Sequence, residues 1–118
     1  MAGLTTHVLD TMHGCPAAGV ALRLFRLGES GAAVPLVDTR TNADGRTDAP
    51  LLDAAALGPG RYRLEFDVAA YYRGCGVALA DPPFLDTVAI EFGIADSHAH
   101  YHVPLLVSPY GYSTYRGS

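Results

Sequence analysis

Alternation of hydrophobic and polar residues dominates this chain, with a period of two rather than the 3.6 residues of a helix. In residues 61–68 the even-numbered positions are apolar and the odd-numbered positions are charged. Such a pattern predicts a strand with one buried and one solvated face. Residues 86–94 repeat the pattern. Further strand candidates are residues 5–10, 20–27, 33–41 and 101–107.

Segments rich in Gly, Pro, Asn and Asp separate these candidates and carry turn chemistry. Residues 69–76 are predicted to form the one short helix, closed by Gly74 or Gly76 in a left-handed conformation. A length of 118 residues is enough for one core, so we expect a single domain over residues 1–118. About seven or eight short strands in this length are typical of an all-β sandwich.

Residues 101–107 depart from the pattern because apolar residues occupy both faces. Positions 101, 103, 105 and 107 are apolar, while Pro104 and Leu106 lie beside His102 on the opposite face. A strand that is apolar on both faces is normally covered on both faces. A two-layer sandwich of this length has no third layer of its own to do so. The sequence therefore predicts a homo-oligomer in which another subunit covers the outer face.

Composition excludes several classes of function. The net charge is −4 and the eight basic residues are all dispersed arginines, so we expect no nucleic-acid partner. The absence of lysine excludes a lysine Schiff base. No apolar run approaches the ~18 residues of a membrane span, and residues 1–8 lack the basic and apolar pattern of a secretory signal. These patterns predict a cytoplasmic protein without a membrane segment, whose two cysteines are free thiols.

Histidines and one arginine are the polar residues that the strand pattern leaves unexplained. His7 lies in the first strand, and His100 and His102 are two residues apart and therefore share a face. If the C-terminal residues continue as a strand, then Thr114, Arg116 and Ser118 also share one face. These imidazoles and the guanidinium could converge on one site.

The histidines also allow two other interpretations, a metal site and a role in turns. His98, His100 and His102 could offer three nitrogens to zinc, but three ligands along one strand are too widely spaced for one tetrahedral ion. No metal is therefore expected. His13 and His98 lie in predicted turns, where a satisfied or solvated role is expected. The chain has no Gly-x-Ser-x-Gly elbow, and neither cysteine has an adjacent base, so covalent catalysis is not indicated.

Four segments together resemble a known family. They are Leu4-Thr-Thr-His-Val-Leu-Asp10, Asn42-Ala-Asp-Gly-Arg46, His100-Tyr-His-Val-Pro-Leu-Leu106 and Tyr110-Gly-Tyr-Ser-Thr-Tyr-Arg-Gly-Ser118. Taken over the whole chain, they are similar to the transthyretin-related 5-hydroxyisourate hydrolase family. The C-terminal Tyr-Arg-Gly-Ser is the feature that separates those enzymes from the hormone carrier on the same fold.

The resemblance implies a transthyretin-like, eight-stranded, two-sheet β-sandwich with one short helix. It implies a homotetramer, a dimer of dimers with sites at the dimer-dimer interface, and no metal or organic cofactor. The implied catalytic residues are His7, Arg46, His102 and Ser118. The implied substrate-binding residues are Arg46, Tyr115, Arg116, Gly117 and Ser118.

The implied reaction converts 5-hydroxyisourate to 2-oxo-4-hydroxy-4-carboxy-5-ureidoimidazoline during urate degradation. In this hypothesis His7 and His102 activate water and move protons, while Arg46 and Arg116 stabilise negative charge. The sequence leaves open which histidine is the base and what His100 does. It also leaves open a transthyretin-like carrier of small aromatic ligands without catalysis, and a β-sandwich interaction domain, which would have a polar outer face on its last two strands.

Overall fold

The computed structural model of the chain describes residues 2–117, and Met1 and Ser118 lie outside the described part. Within that part the chain forms eight strands and one short helix. In chain order these are β1 (Gly3–Asp10), β2 (Cys15–Pro16), β3 (Ala21–Leu27), β4 (Ala33–Arg40), β5 (Gly60–Asp67), α1 (Val68–Gly74), β6 (Thr87–Ile94), β7 (His100–Ser108) and β8 (Gly111–Thr114).

The strands form two four-stranded sheets that enclose one hydrophobic core. The first sheet has the order β2, β1, β7, β8, and the second has the order β4, β3, β5, β6. Neighbouring strands are antiparallel except β1 and β7, which run parallel. This architecture confirms the predicted all-β sandwich of eight strands in two sheets with one short helix.

Strand β5 shows how the alternating pattern is used. Tyr62, Leu64 and Phe66 are at most 1% exposed and face the second layer. Burying a side chain of this size contributes about 1.5–3 kcal/mol. On the solvated face Arg63 bonds Glu91 at 2.9 Å, an exposed pair of the kind that contributes at most about 1 kcal/mol. The apolar face therefore holds the sandwich together.

Helix α1 follows β5 directly and closes one end of the sandwich. Of the two glycines predicted to end it, Gly76 is the left-handed one, with φ of +82°. The N–H of Val77, the residue after Gly76, donates a hydrogen bond to the Tyr72 carbonyl oxygen at 3.0 Å, which completes the cap of the helix. In the described residues no helix is both long and apolar enough to cross a membrane.

The helix is tied to the first sheet through Asp10, whose side chain is buried. Five donors reach its carboxylate at 2.6–3.1 Å: the N–H groups of Met12 and His13, the His13 Nδ1, and the hydroxyls of Tyr71 and Tyr72. Burial alone would raise the pKa of Asp10, but these hydrogen bonds outweigh it and lower the pKa to about 2. His13 is thus a satisfied histidine in a turn.

The prediction of a strand running on through Arg116 is wrong, because β8 ends at Thr114. The β7 and β8 register pairs Leu105 with Thr114, and the later bridge between His102 and Gly117 keeps that register. Between them the ladder is interrupted opposite Pro104, which has no N–H to donate. The predicted placement of Ser118 on this strand lies outside the described residues.

Candidate active site

The outer face of the first sheet carries the polar residues singled out by the sequence. The parallel register places Thr5 opposite His102 and His7 opposite Pro104. Residues directly opposite one another point to the same face of a sheet. His7 is two residues beyond Thr5, so its Cα lies about 8 Å from that of His102, given the usual strand rise and spacing. The two imidazoles therefore border one small-molecule-sized area.

Thr5 contacts two histidines of the neighbouring strand. Its Oγ1 lies 2.8 Å from His102 Nδ1 and 3.2 Å from His100 Nε2. These contacts confirm that His100 and His102 share a face. Because Thr5 occupies Nδ1 of His102, Nε2 is the nitrogen that this ring offers to a ligand.

The turn that carries Arg46 is built by Asn42 and Gly45. Asn42 Oδ1 accepts the N–H groups of Asp44 at 2.9 Å and Arg46 at 3.2 Å. Gly45 has φ of +75°, and a Cβ there would collide with the carbonyl oxygen of Val8. The Gly45 carbonyl accepts the Val8 N–H at 2.8 Å. The turn is therefore packed directly on β1, which fixes Arg46 beside that strand.

His7 is oriented by the same turn. Its Nε2 lies 2.8 Å from the carbonyl oxygen of Asp44. A carbonyl oxygen only accepts hydrogen bonds, so Nε2 carries the hydrogen. When His7 is neutral, its lone pair is therefore on Nδ1.

The electrostatic surroundings of His102 favour the neutral ring. Burial lowers the pKa of His102 below its usual 6.5, and the positive charge of Arg46 lowers it further. His7 and His100 add smaller contributions in the same direction. His102 is consequently a neutral proton acceptor at pH 7. Arg46 lines one pocket with Thr5, the hydrogen-bond partner of His102.

Gly117 lies against the ring of His102. Its N–H donates to the His102 carbonyl at 2.7 Å. A Cβ at this position would lie 2.6 Å from His102 Cδ2 and 3.3 Å from Cγ. Only glycine fits between the C-terminal segment and the imidazole without displacing one of them.

Arg116 and Tyr115 have different surroundings from His7, Arg46 and His102. Arg116 Cζ lies 4.1 Å from the centre of the Tyr101 ring, and its Nη2 donates to the His100 carbonyl at 3.3 Å. Tyr115 is 59% exposed. The structure thus brings His7, Arg46, His102 and Gly117 together. Substrate contacts of Tyr115 and Arg116 stay a prediction, and those of Ser118 concern a residue outside the described part.

Sequence reasoning missed two groups that shape the site. Thr5 has the same parity as His7 on β1, which was the available signal that both face outward. Asp44 contributes only its backbone carbonyl to His7, and no side-chain pattern reveals such a contact.

The imidazoles do not form a ligand set for a metal ion. His98 lies in the turn before β7, where its N–H bonds Asp96 at 2.9 Å. Among residues 2–117, no group of three His, Cys, Asp or Glu side chains is arranged to hold a metal. The chemistry of the described site therefore lies in imidazole, hydroxyl and guanidinium groups.

Comparison with known proteins places the chain among close relatives. The model of the HIUase/Transthyretin family matches residues 4–117. A 5-hydroxyisourate hydrolase of Ralstonia nicotianae is 56% identical over 118 residues, covering 100% of both chains. The solved structure of Klebsiella pneumoniae 5-hydroxyisourate hydrolase is similar with a TM-score of 0.81 and 38% identity over 100% of both chains.

Two further solved structures share this fold. Sea bream transthyretin in complex with thyroxine has a TM-score of 0.87 and 30% identity, over 98% of this chain and 95% of that one. (S)-Allantoin synthase has a TM-score of 0.92 and 42% identity over 99% of this chain, which spans 44% of that longer protein. The sandwich is therefore transthyretin-like, as predicted, and the chain belongs to the HIUase/Transthyretin family.

Proposed function

We propose that this protein hydrolyses 5-hydroxyisourate to 2-oxo-4-hydroxy-4-carboxy-5-ureidoimidazoline, acting as a cyclic amide hydrolase in purine degradation. Relatives at 53–56% identity over nearly the whole chain are named for that activity. The observation that carries the proposal is the arrangement of His7 and His102 on one sheet face with Arg46 beside them. These groups suit the attack of water on a cyclic amide.

The two imidazoles divide the proton transfers. Water is a weak nucleophile at neutral pH, and a positioned base that removes its proton accelerates attack by about 10²–10⁴-fold. His7 offers Nδ1 and His102 offers Nε2, because their other nitrogens are engaged by Asp44 and Thr5. One ring, neutral at the start, accepts the proton of water, and the other, protonated at the start, donates its proton to the nitrogen of the broken C–N bond. The pair ends with the same number of protons, and transfer of one proton between the rings restores the starting state. No covalent intermediate is required.

Arg46 stabilises the negative charge that develops on the attacked carbonyl oxygen. Its planar guanidinium offers fixed donors to oxygen, which are most effective where they need not reorganise during the reaction. The same charge lowers the pKa of His102 and keeps that ring ready to accept a proton. This mechanism uses no metal or organic cofactor.

The C-terminal segment is proposed to bind the substrate. Gly117 already lies on His102, so the described end of the C-terminal segment is at the edge of the site. Tyr115, Arg116 and the Ser118 hydroxyl are assigned to hold the oxygen-rich heterocycle. Arg116 would have to leave the Tyr101 ring to do so, or reach a site formed with another subunit.

We also propose a homotetramer, a dimer of dimers with the sites at the dimer-dimer interface. The face that carries His7 and His102 also carries Leu9 and Leu106, which are half-buried in the single chain and leave an apolar surface that a second copy can cover. Strands β6 and β8 are edge strands of the two sheets, and residues of both line one groove. Unpaired edges favour pairing with another chain. Light scattering on the purified protein should give four times the chain mass. A cytoplasmic location remains a prediction from the sequence.

The test of the activity is the ultraviolet-monitored decay of freshly generated 5-hydroxyisourate with and without the protein. We expect acceleration well above the spontaneous rate, and we expect it to survive excess EDTA. Saturable binding of the substrate without faster decay would instead support the carrier that the sequence left open.

Replacing Gly117 by Ala is expected to lower kcat by about tenfold or more. The new Cβ meets the His102 ring at 2.6 Å, so the ring must shift, and misplacing a catalytic group by ~1 Å can cost 10²-fold. Steady-state kinetics measure the effect. Gly111→Ala in β8 is the matched control, because a Cβ there has its nearest contact at 4.0 Å. Equal activity of the two variants would contradict the close contact between Gly117 and His102.

A further inference from the structure

Three polar groups form a continuous chain across the β1 and β7 pair. It runs from His102 Nδ1 to Thr5 Oγ1 over 2.8 Å and on to His100 Nε2 over 3.2 Å. Its two ends differ in environment, because the His102 ring is partly buried whereas His100 is exposed to solvent. The chain therefore connects the interior of the site with the surface.

The hydroxyl of Thr5 couples the protonation states of the two rings. It has a single hydrogen, so when both bonds form it donates to one ring and accepts from the other. If Thr5 donates to His100, then His102 carries its hydrogen on Nδ1 and has a lone pair on Nε2. If Thr5 donates to His102, then His102 carries its hydrogen on Nε2. The direction of the Thr5 bond thus sets whether Nε2 of the neutral His102 ring presents a lone pair, and can act as a base, or presents a hydrogen.

We propose that Thr5 and His100 form a proton relay for His102, an inference that rests on the proposed function. When His102 Nε2 gains a proton from the attacking water, the proton on Nδ1 passes to Thr5 Oγ1. The hydroxyl hydrogen of Thr5 passes in turn to His100 Nε2. His102 ends neutral, Thr5 is restored, and the positive charge rests on His100. The reverse transfers, or exchange of His100 with solvent, return the proton.

The charges around the site favour this outward transfer. Arg46, His7 and His100 are the titratable groups that act on His102, and Arg46 is a permanent cation. Burial and this cation both disfavour a charged His102 ring. His100, the first residue of β7, is exposed in the single chain, where water solvates a charge on it. The relay requires that the proposed dimer-dimer contact leave this end of β7 open to water. In this scheme Thr5 acts through His102 and does not contact the substrate, and His100 is the final acceptor of the proton.

Three variants separate a relay from simple positioning. Thr5→Val keeps the shape and strand preference of the side chain but removes the hydroxyl, and we expect kcat to fall by about tenfold with KM nearly unchanged. Thr5→Ser keeps the hydroxyl and should restore most of kcat. His100→Gln leaves the Thr5–His102 bond in place but cannot take up a proton, so a relay predicts a loss similar to that of Thr5→Val.

The decisive readout is the tautomer of His102 from ¹⁵N spectra of histidine-labelled protein at about pH 8, where imidazoles are neutral. In the wild type we expect the Nδ1–H form to be enriched, and in Thr5→Val we expect that preference to be lost. The solvent deuterium isotope effect on kcat should report more than one proton in flight in the wild type and a single one in both relay variants.

The outcomes distinguish the relay from the activity itself. A wild type that does not accelerate decay of 5-hydroxyisourate would end the proposed function, whatever the spectra show. A fully active wild type with a fully active, folded His100→Gln variant would overturn the relay and leave the hydrolase intact. Unchanged His102 tautomers in Thr5→Val would overturn it as well.

Discussion

Replacing His102 by Asn is expected to lower kcat for 5-hydroxyisourate by about 10²-fold or more. The side-chain amide of Asn can still form a hydrogen bond with Thr5, but it cannot take up a proton near neutral pH. His7→Asn should have a comparable effect, because it removes both the lone pair of Nδ1 and the Nε2 contact with the Asp44 carbonyl. Steady-state kinetics on freshly generated substrate measure both losses.

The pH dependence of the same rate gives a second check on His102. Because burial and the charge of Arg46 lower the pKa of this ring, wild-type activity should hold down to pH values below its usual 6.5 before it falls. Acidification below that range protonates the ring and removes the acceptor. Arg46→Gln removes the cation, so the acid limb should move to higher pH.

His98→Asn is the matched control for the histidine variants. His98 is exposed in the turn before β7, and within residues 2–117 its one hydrogen bond is that of its backbone N–H to Asp96. We expect wild-type kinetics from it. Circular dichroism and melting temperature establish that His7→Asn and His102→Asn remain folded. Near-normal turnover by either folded variant would refute its assigned role.

The sandwich could be predicted from the sequence because strand alternation is a local property. The even positions of residues 61–68 are buried and the odd positions are solvated, as the pattern requires. Each of β3, β4 and β6 has one end as predicted and the other displaced by one residue. Turn residues next to these strands are the signal that fixes their boundaries. Helix α1 ends two residues before the predicted limit, because Gly76 forms its cap outside the last helical turn.

The assembly of the site depended on pairing that is not local. His7 and His102 are separated by most of the chain, and only the parallel pairing of β1 with β7 makes them neighbours. Alternation fixes which face a residue occupies but carries no information about which strand lies alongside. The grouping of His7, Arg46 and His102 was therefore implied by family resemblance, and Thr5, whose role exists only in that register, was missed.

The C-terminal segment shows a different limit. A pattern of side chains predicts a strand even where the backbone hydrogen bonds are incomplete. Pro104 has no N–H, so β7 cannot donate a hydrogen bond to the residue that follows β8. The C-terminal segment therefore leaves the β7–β8 hydrogen-bond ladder and rejoins it at Gly117. That detour lets Arg116 stack on Tyr101 instead of continuing the strand.

Asp10→Ala is expected to lower the free energy of unfolding by about 3 kcal/mol or more, because it leaves the Tyr71 hydroxyl and the backbone N–H groups of Met12 and His13 without their acceptor. The Tyr72 hydroxyl keeps the Val107 carbonyl as an acceptor at 2.8 Å. The effect should depend on pH. The folded pKa is about 2 against 3.8 for the free side chain, so the contribution of the carboxylate is complete above the free value. It is lost as pH falls through the folded pKa.

Urea unfolding of Asp10→Asn and wild type at neutral pH and at about pH 3 measures this dependence. The gap between them should narrow at about pH 3, because the Asp10 carboxylate of the unfolded wild type is then mostly protonated whereas that of the folded protein is still mostly ionised. Asp38→Asn, which removes a carboxylate from an exposed position of β4, should differ little from wild type at either pH. A constant gap would mean that packing rather than the ionised carboxylate joins α1 to the first sheet. Because Asp10 and its partners lie away from His7 and His102, the folded Asp10→Asn variant should retain most of its turnover at low temperature.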